Sequence, residues 1–278
     1  MTAEPQQKQR GPVGATAVTA PVTTRAVRVP KAKTATAKTP GAKAPTLRYE
    51  RTFAALGHGV LAGCDEVGRG ALAGPVSVGL VAVQLDTVRS LKGVKDSKLL
   101  SAADREAMVP LIKKWCPAWG VGHASAAEID LLGLMGALRL AGTRAWTQVC
   151  ETLTPDVVLL DGNHNWLSPA VQASLFDDVE EEDAAACTAP VHTRIKADMT
   201  CLSVAAASVL AKVERDAMMT EYAELHPQYG WEINKGYATG AHRAAIDSLG
   251  PSPLHRLSWR LGSARSEDAG PAQGPLGG

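Results

Sequence analysis

Residues 57–85, GHGVLAGCDEVGRGALAGPVSVGLVAVQL, contain the pattern from which the fold is predicted. The stretch begins with a short apolar strand that ends at the acidic pair Asp65 and Glu66. After a glycine-rich turn, residues 75–85 have the β-branched content of a second strand. Two short apolar strands joined by a turn indicate the beginning of a sheet, with an acidic pair at the end of its first strand.

Strands and helices alternate in the following part of the chain. Ser101 is a suitable N-cap for the first helix, and Pro110 should kink or break that helix. Strands followed by alternating strands and helices predict an α/β domain with a mixed sheet, and shorter helices continue to about Leu261. The periodicity predicts helices at 101–115, 126–153 and 200–225 and further strands at 119–124, 156–160 and 191–196.

The two ends of the chain differ from this central part. Residues 1–48 hold nine basic residues and one acidic residue, a net charge of +8 in a chain whose total is +1. Their Ala, Thr, Pro, Val and Lys cannot bury enough apolar surface to offset chain entropy. We predict a disordered basic extension at 1–48, a catalytic domain at 49–262 and a disordered tail at 263–278. The extension indicates either a polyanionic partner or a solubilising segment.

Composition excludes several classes of protein. The five cysteines are odd in number and lack a CxxC pair, so neither a disulfide framework nor a zinc site is predicted. No apolar run approaches the roughly 18 residues that span a membrane, and residues 1–10 lack the apolar stretch of a secretory signal. We therefore expect a cytoplasmic monomer that is not bound to a membrane.

Four acidic residues, Asp65, Glu66, Asp161 and Asp198, lie where apolar strands end. Taken alone, each Asp could be a turn or cap residue, and Asp198 could cap the helix that follows it. Carboxylates that meet at one end of a sheet repel each other unless a cation binds, and hard oxygen ligands suit Mg²⁺ or Mn²⁺. Two such ions stabilise the attacking and leaving oxygens in phosphoryl transfer. Spacing alone does not show that the four acids converge.

Glycine, basic and aromatic residues near these acids could bind a nucleic-acid backbone. In Gly68-Arg69-Gly70, glycine permits close approach and the Arg fork suits phosphate and hydroxyl oxygens. Lys98, and Lys235 with Tyr237, offer a cation and a ring for phosphate and sugar. Each segment alone could equally be a solvated loop. A Ser–His–Asp triad has no GxSxG motif to support it.

Together these segments resemble the ribonuclease HII family. The resemblance covers about Gly57 to Leu261, and six blocks in the family's order leave little room for coincidence. The matching blocks are CDEVGRG (64–70) with AGP (73–75), DSK (96–98), LDGN (160–163), KAD (196–198) with SVAAASVLAKV (203–213) and RD (215–216), HPQYG (226–230), and KGYAT (235–239) with HR (255–256).

The resemblance implies a ribonuclease H-like mixed sheet flanked by helices, with a small helical C-terminal subdomain. It implies a metal-dependent endonuclease that hydrolyses the RNA strand of RNA–DNA hybrids and nicks 5′ of ribonucleotides embedded in duplex DNA. The products would carry a 3′-hydroxyl and a 5′-phosphate. Such an enzyme acts in RNA primer removal and ribonucleotide excision repair.

Two sets of site residues carry over from the family's motifs. The four acids, Asp65, Glu66, Asp161 and Asp198, would hold two Mg²⁺ or Mn²⁺ ions. The substrate-binding set would be Gly68, Arg69 and Gly70 at the ribonucleotide and its 2′-hydroxyl, Tyr237 against the sugar at the RNA–DNA junction, and Lys98 and Lys235 at phosphates.

Two alternatives accompany this interpretation, and the chain departs from the family's pattern at Leu99, Gly133 and Ala197 and in the length of one interval. A type III ribonuclease H is disfavoured by Arg69, where that type is expected to have lysine, and by the lack of an ordered extra domain in residues 1–48. A non-catalytic nucleic-acid-binding protein is disfavoured because all four acids are present. The interval from Asp161 to Asp198 is longer than expected, and we interpret its acidic residues at 177–183 as a surface loop that limits duplex approach.

Overall fold

The computed structural model describes residues 44–169 and 186–262. Within these ranges the chain forms one five-stranded sheet, so the predicted mixed sheet flanked by helices is confirmed. The strands are β1 (Val60–Val67), β2 (Val76–Gln84), β3 (Ala118–Ala124), β4 (Val157–Asp161) and β5 (Val191–Arg194). The helices are α1 (Glu50–Ala55), α2 (Ala102–Trp115), α3 (Ala126–Cys150), α4 (Ala197–Thr200), α5 (Leu202–Leu225), α6 (Trp231–Asn234) and α7 (Gly240–Leu249).

The sheet has the strand order β3-β2-β1-β4-β5. β1, β2 and β3 form an antiparallel meander, whereas β4 and β5 run parallel to β1. The parallel pair requires a crossover, which α3 supplies between β3 and β4. β1 is therefore a central strand, with an antiparallel neighbour on one side and a parallel neighbour on the other.

Two long helices cover the sheet, one on each face. Gly63 and Gly79 face α5, and Gly120 and Gly122 face α3. A Cβ added at any of these four positions would overlap the backbone of the facing helix. Glycine here is required by the close approach of helix and sheet rather than by an unusual backbone angle.

The core has two main apolar clusters, because both faces of the sheet are buried. Residues alternate between the faces along each strand, so that Leu61 packs on the α5 side and Ala62 on the α3 side. A third, smaller cluster holds the C-terminal helices together around Tyr229, Trp231 and Ile246. This cluster corresponds to the predicted helical C-terminal subdomain.

Three details of the predicted elements were wrong. α2 begins after the expected N-cap Ser101 but continues through Pro110 without a break, since the neighbouring Met108 and Ile112 are buried in the core. The helix predicted at 126–153 ends at Cys150 and is interrupted at Gly133, where φ is 68°. Asp198 does not cap α5, because it lies within the short α4 and Cys201 occupies the cap position.

The described ranges limit what can be said of the predicted domain boundaries. Thr46 pairs with Cys201 and Leu47 is buried, so these residues of the predicted extension contact the folded domain. Residues 1–43, 170–185 and 263–278, which include the acidic segment 177–183, lie outside the described residues, and the three-part division stays a prediction. No helix in the described ranges is long and apolar enough to cross a membrane.

Candidate active site

Strand register brings Asp65 and Asp161 side by side. Cys64 on β1 lies opposite Leu160 on β4, and the two strands run parallel, so the following residues are also neighbours. Cys64 and Leu160 both pack on the α3 side. Because side chains alternate along a strand, both aspartates point to the α5 side. Two residues distant in the chain are therefore paired by the sheet itself.

Asp65 lies at the centre of the acidic residues. It is only 4% exposed, and burial raises the pKa of its carboxyl well above the usual range. The negative charges of Glu66, Asp161 and Asp198 raise this pKa further, whereas a hydrogen bond with Ser208 opposes the rise. The four acids thus affect one another electrostatically, as expected for carboxylates gathered at one site.

Two of the acids are paired with cations. Glu66 accepts a hydrogen bond from Arg69 at 3.2 Å, and Asp198 accepts one from Lys98 at 3.4 Å. Burial raises the pKa of Glu66 and of Asp198, and the paired cation opposes the rise in each case. Arg69 and Lys98 therefore neutralise part of the charge of the acidic residues.

Asp161 and Asp198 are positioned by the chain that follows β5. Asp161 accepts a hydrogen bond from the backbone N–H of Ala197 at 2.7 Å. This bond ties the end of β4 to the start of α4, the helix that contains Asp198. One backbone hydrogen bond therefore keeps Asp161 close to the helix that carries Asp198.

The four acids fit a divalent cation by their chemistry. Within residues 44–169 and 186–262, no three acidic, histidine or cysteine side chains already stand in an arrangement that would enclose an ion. The donors are nevertheless carboxylate oxygens, the ligands that Mg²⁺ and Mn²⁺ prefer. Burial and repulsion by neighbouring acids disfavour the ionised forms of Asp65, Glu66 and Asp198, and a bound cation would counter both effects.

An open cleft of about 460 Å³ lies beside Asp65 and Glu66. Asp161 and Asp198 do not line it, and Lys235 lines an adjoining cavity of about 630 Å³ instead. Lys212 and Tyr237 belong to the walls of both cavities, so the two cavities lie side by side. The predicted substrate residues that the cleft brings together are Gly68, Arg69, Gly70, Lys98 and Tyr237.

Three polar residues that line the cleft, Ser97, Ser208 and Lys212, were not predicted as site residues. Ser208 contacts Ser97 at 2.8 Å, and Asp96 accepts from the N–H of Lys98 at 3.0 Å. Lys212 donates to Asp216 at 2.7 Å. Ser208 and Lys212 lie four residues apart on α5, one helical turn, and this spacing was the available signal that both face the cleft.

A Ser–His–acid chain exists elsewhere in the fold, but it cannot act as a hydrolase triad. The Ser77 hydroxyl lies 2.7 Å from His123 Nδ1, and His123 Nε2 lies 2.9 Å from a Glu214 carboxylate oxygen. Ser77 is 0% exposed, so its oxygen cannot reach a substrate. The contact is structural, and it joins β2, β3 and α5.

Two buried histidines hold the C-terminal segment next to Tyr237. Trp231 Nε1–H donates to His242 Nε2 at 3.0 Å, and His255 lies 3.1 Å from the same nitrogen. His242 Nδ1 is then the donor to the Tyr237 carbonyl at 2.9 Å, and His255 Nδ1 accepts from the N–H of Ser252. In this arrangement both histidines are neutral, and the N–H at His255 Nε2 shares the single acceptor lone pair of His242 Nε2 with the Trp231 N–H.

Acid should therefore destabilise the fold through His255. Burial and the neighbouring His242 lower the pKa of His255 from 6.5 to about 4. Between these values the unfolded chain binds a proton that the folded chain excludes, so the stability contribution present above pH 6.5 is lost as pH falls. Relative to His255→Asn, wild type should lose on the order of 2–3 kcal/mol of unfolding free energy between pH 7.5 and 4. Urea unfolding checks this, and parallel pH curves for the two proteins would contradict it.

Comparisons with known proteins agree with this geometry. The family model of ribonuclease HII matches residues 62–261. The chain is 43% identical over 216 residues to ribonuclease HII of Streptomyces avermitilis, covering 77% of this chain and 83% of that protein. It resembles the ribonuclease H2 structure from Pyrococcus horikoshii OT3, with a TM-score of 0.54 and 24% identity over 73% of this chain and 94% of the other. The RNase HII structure from Archaeoglobus fulgidus, solved in complex with PCNA, has a TM-score of 0.54 and 28% identity, covering 75% and 99%.

Proposed function

Because the chain belongs to the ribonuclease HII family and is thus a ribonuclease H, we propose that it nicks duplex DNA 5′ of embedded ribonucleotides by two-metal-ion catalysis. Like the family, the enzyme hydrolyses the RNA strand of RNA–DNA hybrids and depends on a divalent metal ion. The observation that carries the finer proposal is the juxtaposition of Asp65 and Asp161 beside the open Gly68–Gly70 loop.

In this proposal Asp65, Glu66, Asp161 and Asp198 hold two ions, Mg²⁺ or Mn²⁺. When bound, the ions supply charge stabilisation for the attacking and leaving oxygens at the scissile phosphate. The Glu66 N–H orients the Asp65 carboxylate through a hydrogen bond of 2.9 Å, and the Ala197 N–H orients that of Asp161. Lys98, whose side chain is mostly exposed, can leave Asp198 to meet a phosphate.

The Gly68–Gly70 loop would distinguish RNA from DNA. Only a 2′-hydroxyl separates the two sugars, and that group can both donate and accept a hydrogen bond. Fixed backbone groups that pair with it are left unpaired by deoxyribose, which makes the discrimination strong. Tyr237 would pack against the adjoining sugar, and Lys235 would hold a phosphate in the neighbouring cavity. Because no base contact is needed, we expect little sequence preference.

This activity suits RNA primer removal and ribonucleotide excision repair in the cytoplasm. The substrates would be RNA–DNA hybrids and duplex DNA that contains ribonucleotides, bound by a monomer. The basic residues of the segment 1–48 would add attraction for the polyanionic duplex.

The decisive experiment is cleavage of duplex DNA that carries one ribonucleotide. We expect a single nick on its 5′ side with Mg²⁺ or Mn²⁺, products with 3′-hydroxyl and 5′-phosphate ends, and no cleavage with EDTA. The same duplex without the ribonucleotide should stay intact and serves as the control. Binding without cleavage in either metal would refute the proposal and favour a non-catalytic nucleic-acid-binding protein.

A further inference from the structure

Arg256, a buried residue outside the acidic site, binds the Gly68–Gly70 loop from behind. The residue is 0% exposed, and its guanidinium is surrounded by backbone carbonyls of the segment 68–75. It donates to the carbonyl oxygens of Gly68 at 2.7 Å, Arg69 at 3.0 Å, Gly74 at 3.2 Å and Pro75 at 3.2 Å. One side chain thus binds both the beginning and the end of the segment 68–75, which contains the Gly68–Gly70 loop.

Arg215 on α5 continues this arrangement. It is also 0% exposed and donates to the carbonyls of Ala73 at 3.2 Å, Pro75 at 2.8 Å and Lys235 at 3.0 Å. The two arginines therefore connect the loop to the segment that carries Lys235 and Tyr237. The Gly68–Gly70 loop lines the cleft beside Asp65, and Tyr237 lines both that cleft and the adjoining cavity.

The partners of these arginines are carbonyls rather than carboxylates. In the part of the chain that the structure describes, neither guanidinium forms an ion pair with an acidic side chain. Burying a cation is unfavourable unless hydrogen bonds compensate, and charge-assisted bonds to carbonyls are stronger than neutral ones. The carbonyls of the segment 68–75 consequently compensate the burial of the Arg256 charge, and the same hydrogen bonds fix the conformation of that segment.

This binding determines the direction of the loop's donors. In a trans peptide, the carbonyl of one residue and the N–H of the next point in opposite directions. Since the carbonyls of Gly68 and Arg69 point at Arg256, the N–H groups of Arg69 and Gly70 point away from it. Among the described residues these two N–H groups have no hydrogen-bond acceptor, and both residues line the cleft.

We infer that Arg256 is a positioning residue for ribonucleotide recognition: it aims the N–H groups of Arg69 and Gly70 at the ribose hydroxyl. This inference rests on the proposed function, since it concerns how the same cleft distinguishes ribose from deoxyribose. Arg256 itself does not line the cleft, so it acts only through the loop. A rigid set of donors recognises a hydroxyl better than a mobile set because it need not be ordered on binding.

A contact at the surface allows the position of Arg256 to be disturbed without replacing Arg256 itself. The partly exposed Asp130 accepts from the N–H groups of Leu257 and Ser258, at 2.8 and 3.0 Å, and from the Ser258 hydroxyl. These bonds fix the residues that directly follow Arg256. Removing the Asp130 carboxylate should loosen Arg256 without leaving a buried group unpaired.

The test compares Arg256→Met, Arg256→Lys and Asp130→Ala with the control Arg243→Met. Arg243 also donates to backbone carbonyls, those of Leu261 and Gly262, but it does not touch the loop. For each variant, kcat and KM are measured on duplex DNA with one ribonucleotide, and Kd is measured on the same duplex without it. Circular dichroism and thermal unfolding identify the variants that remain folded.

We expect Arg256→Met to lower kcat/KM on the ribonucleotide substrate by about 10²-fold, the usual effect of removing fixed donors. Arg256→Lys should recover part of that loss, because an ammonium reaches fewer carbonyls than the guanidinium fork. Asp130→Ala should lower kcat/KM roughly fivefold, about one hydrogen bond's effect. Affinity for the all-DNA duplex should stay within about threefold throughout, since deoxyribose lacks the group that is recognised.

Three results would overturn the inference. A folded Arg256→Met variant could retain wild-type kcat/KM, or it could lose no more activity than Arg243→Met. If Arg256→Met does not fold, Asp130→Ala decides, and unchanged kcat/KM in that variant rejects the positioning role. Failure of the proposed function is distinguishable, because wild-type protein would then leave the ribonucleotide substrate uncut.

Discussion

Replacing Asp65 by asparagine is expected to lower kcat for ribonucleotide cleavage by at least about 10³-fold, the rate equivalent of several kcal/mol of metal-dependent stabilisation. Asp65 is the buried acid whose pKa is raised by burial and by the other three acids together. The substitution removes the negative charge of one proposed metal ligand and keeps the size and shape of the side chain. Single-turnover cleavage at saturating substrate measures the effect without interference from product release.

The same substitution should leave the fold intact or stabilise it. Burial and the neighbouring acids disfavour the charged form of the Asp65 carboxyl, and asparagine cannot carry that charge. Thermal unfolding without metal should give an unchanged or higher Tm, and the added stability from Mg²⁺ or Mn²⁺ should shrink. Asp86→Asn, at an exposed position outside the site, is the matched control. Wild-type kcat in Asp65→Asn would remove Asp65 from the ligand set.

The second large effect is expected for stability, with Gly68→Ala. Gly68 has φ +85°, and an added Cβ would overlap the Arg215 guanidinium, which is itself held by three carbonyls. Left-handed strain and overpacking each cost on the order of 1–3 kcal/mol, so the unfolding free energy should fall by about 3 kcal/mol. Urea unfolding followed by tryptophan fluorescence provides the measurement.

Gly70→Ala is the matched control for this prediction. Gly70 lies in the same loop, but a Cβ there would meet no atom within 4 Å. Its unfolding free energy should change by less than about 1 kcal/mol, as for surface substitutions in general. If the two alanine variants unfold at the same urea concentration, the loop and Arg215 are not packed as described.

The strands could be predicted, and the four acids proposed as one site, because their signals are local. Residues 60–64 and 157–160 are apolar runs without a charged residue, as expected for strands that are buried on both faces, and acidic residues follow each run directly. The register that makes Asp65 and Asp161 neighbours was not predictable. Hydrophobic runs do not specify which strand pairs with which, or at which residue.

The buried arginines show a different limit of sequence reasoning. Arg215 and Arg256 both lay within the blocks that resemble the family, yet their partners are backbone carbonyls far away in the chain. Every residue has a carbonyl, so no side-chain pattern marks these acceptors. Pro110 illustrates the same limit for local rules, because burial of its neighbours outweighs the helix-breaking tendency of proline.

During synthesis on the ribosome, β1 can pair with β2 well before its other neighbouring strand, β4, has been made. β2 and β3 follow it directly and can pair within a short nascent chain, whereas β4 emerges only after α3, and Ser208 on α5 later still. Asp65 therefore remains without its neighbour Asp161 until 96 more residues have been added. We expect ribosome-bound fragments truncated before α5 to be inactive on any substrate, so catalytic competence would appear only near the completion of synthesis.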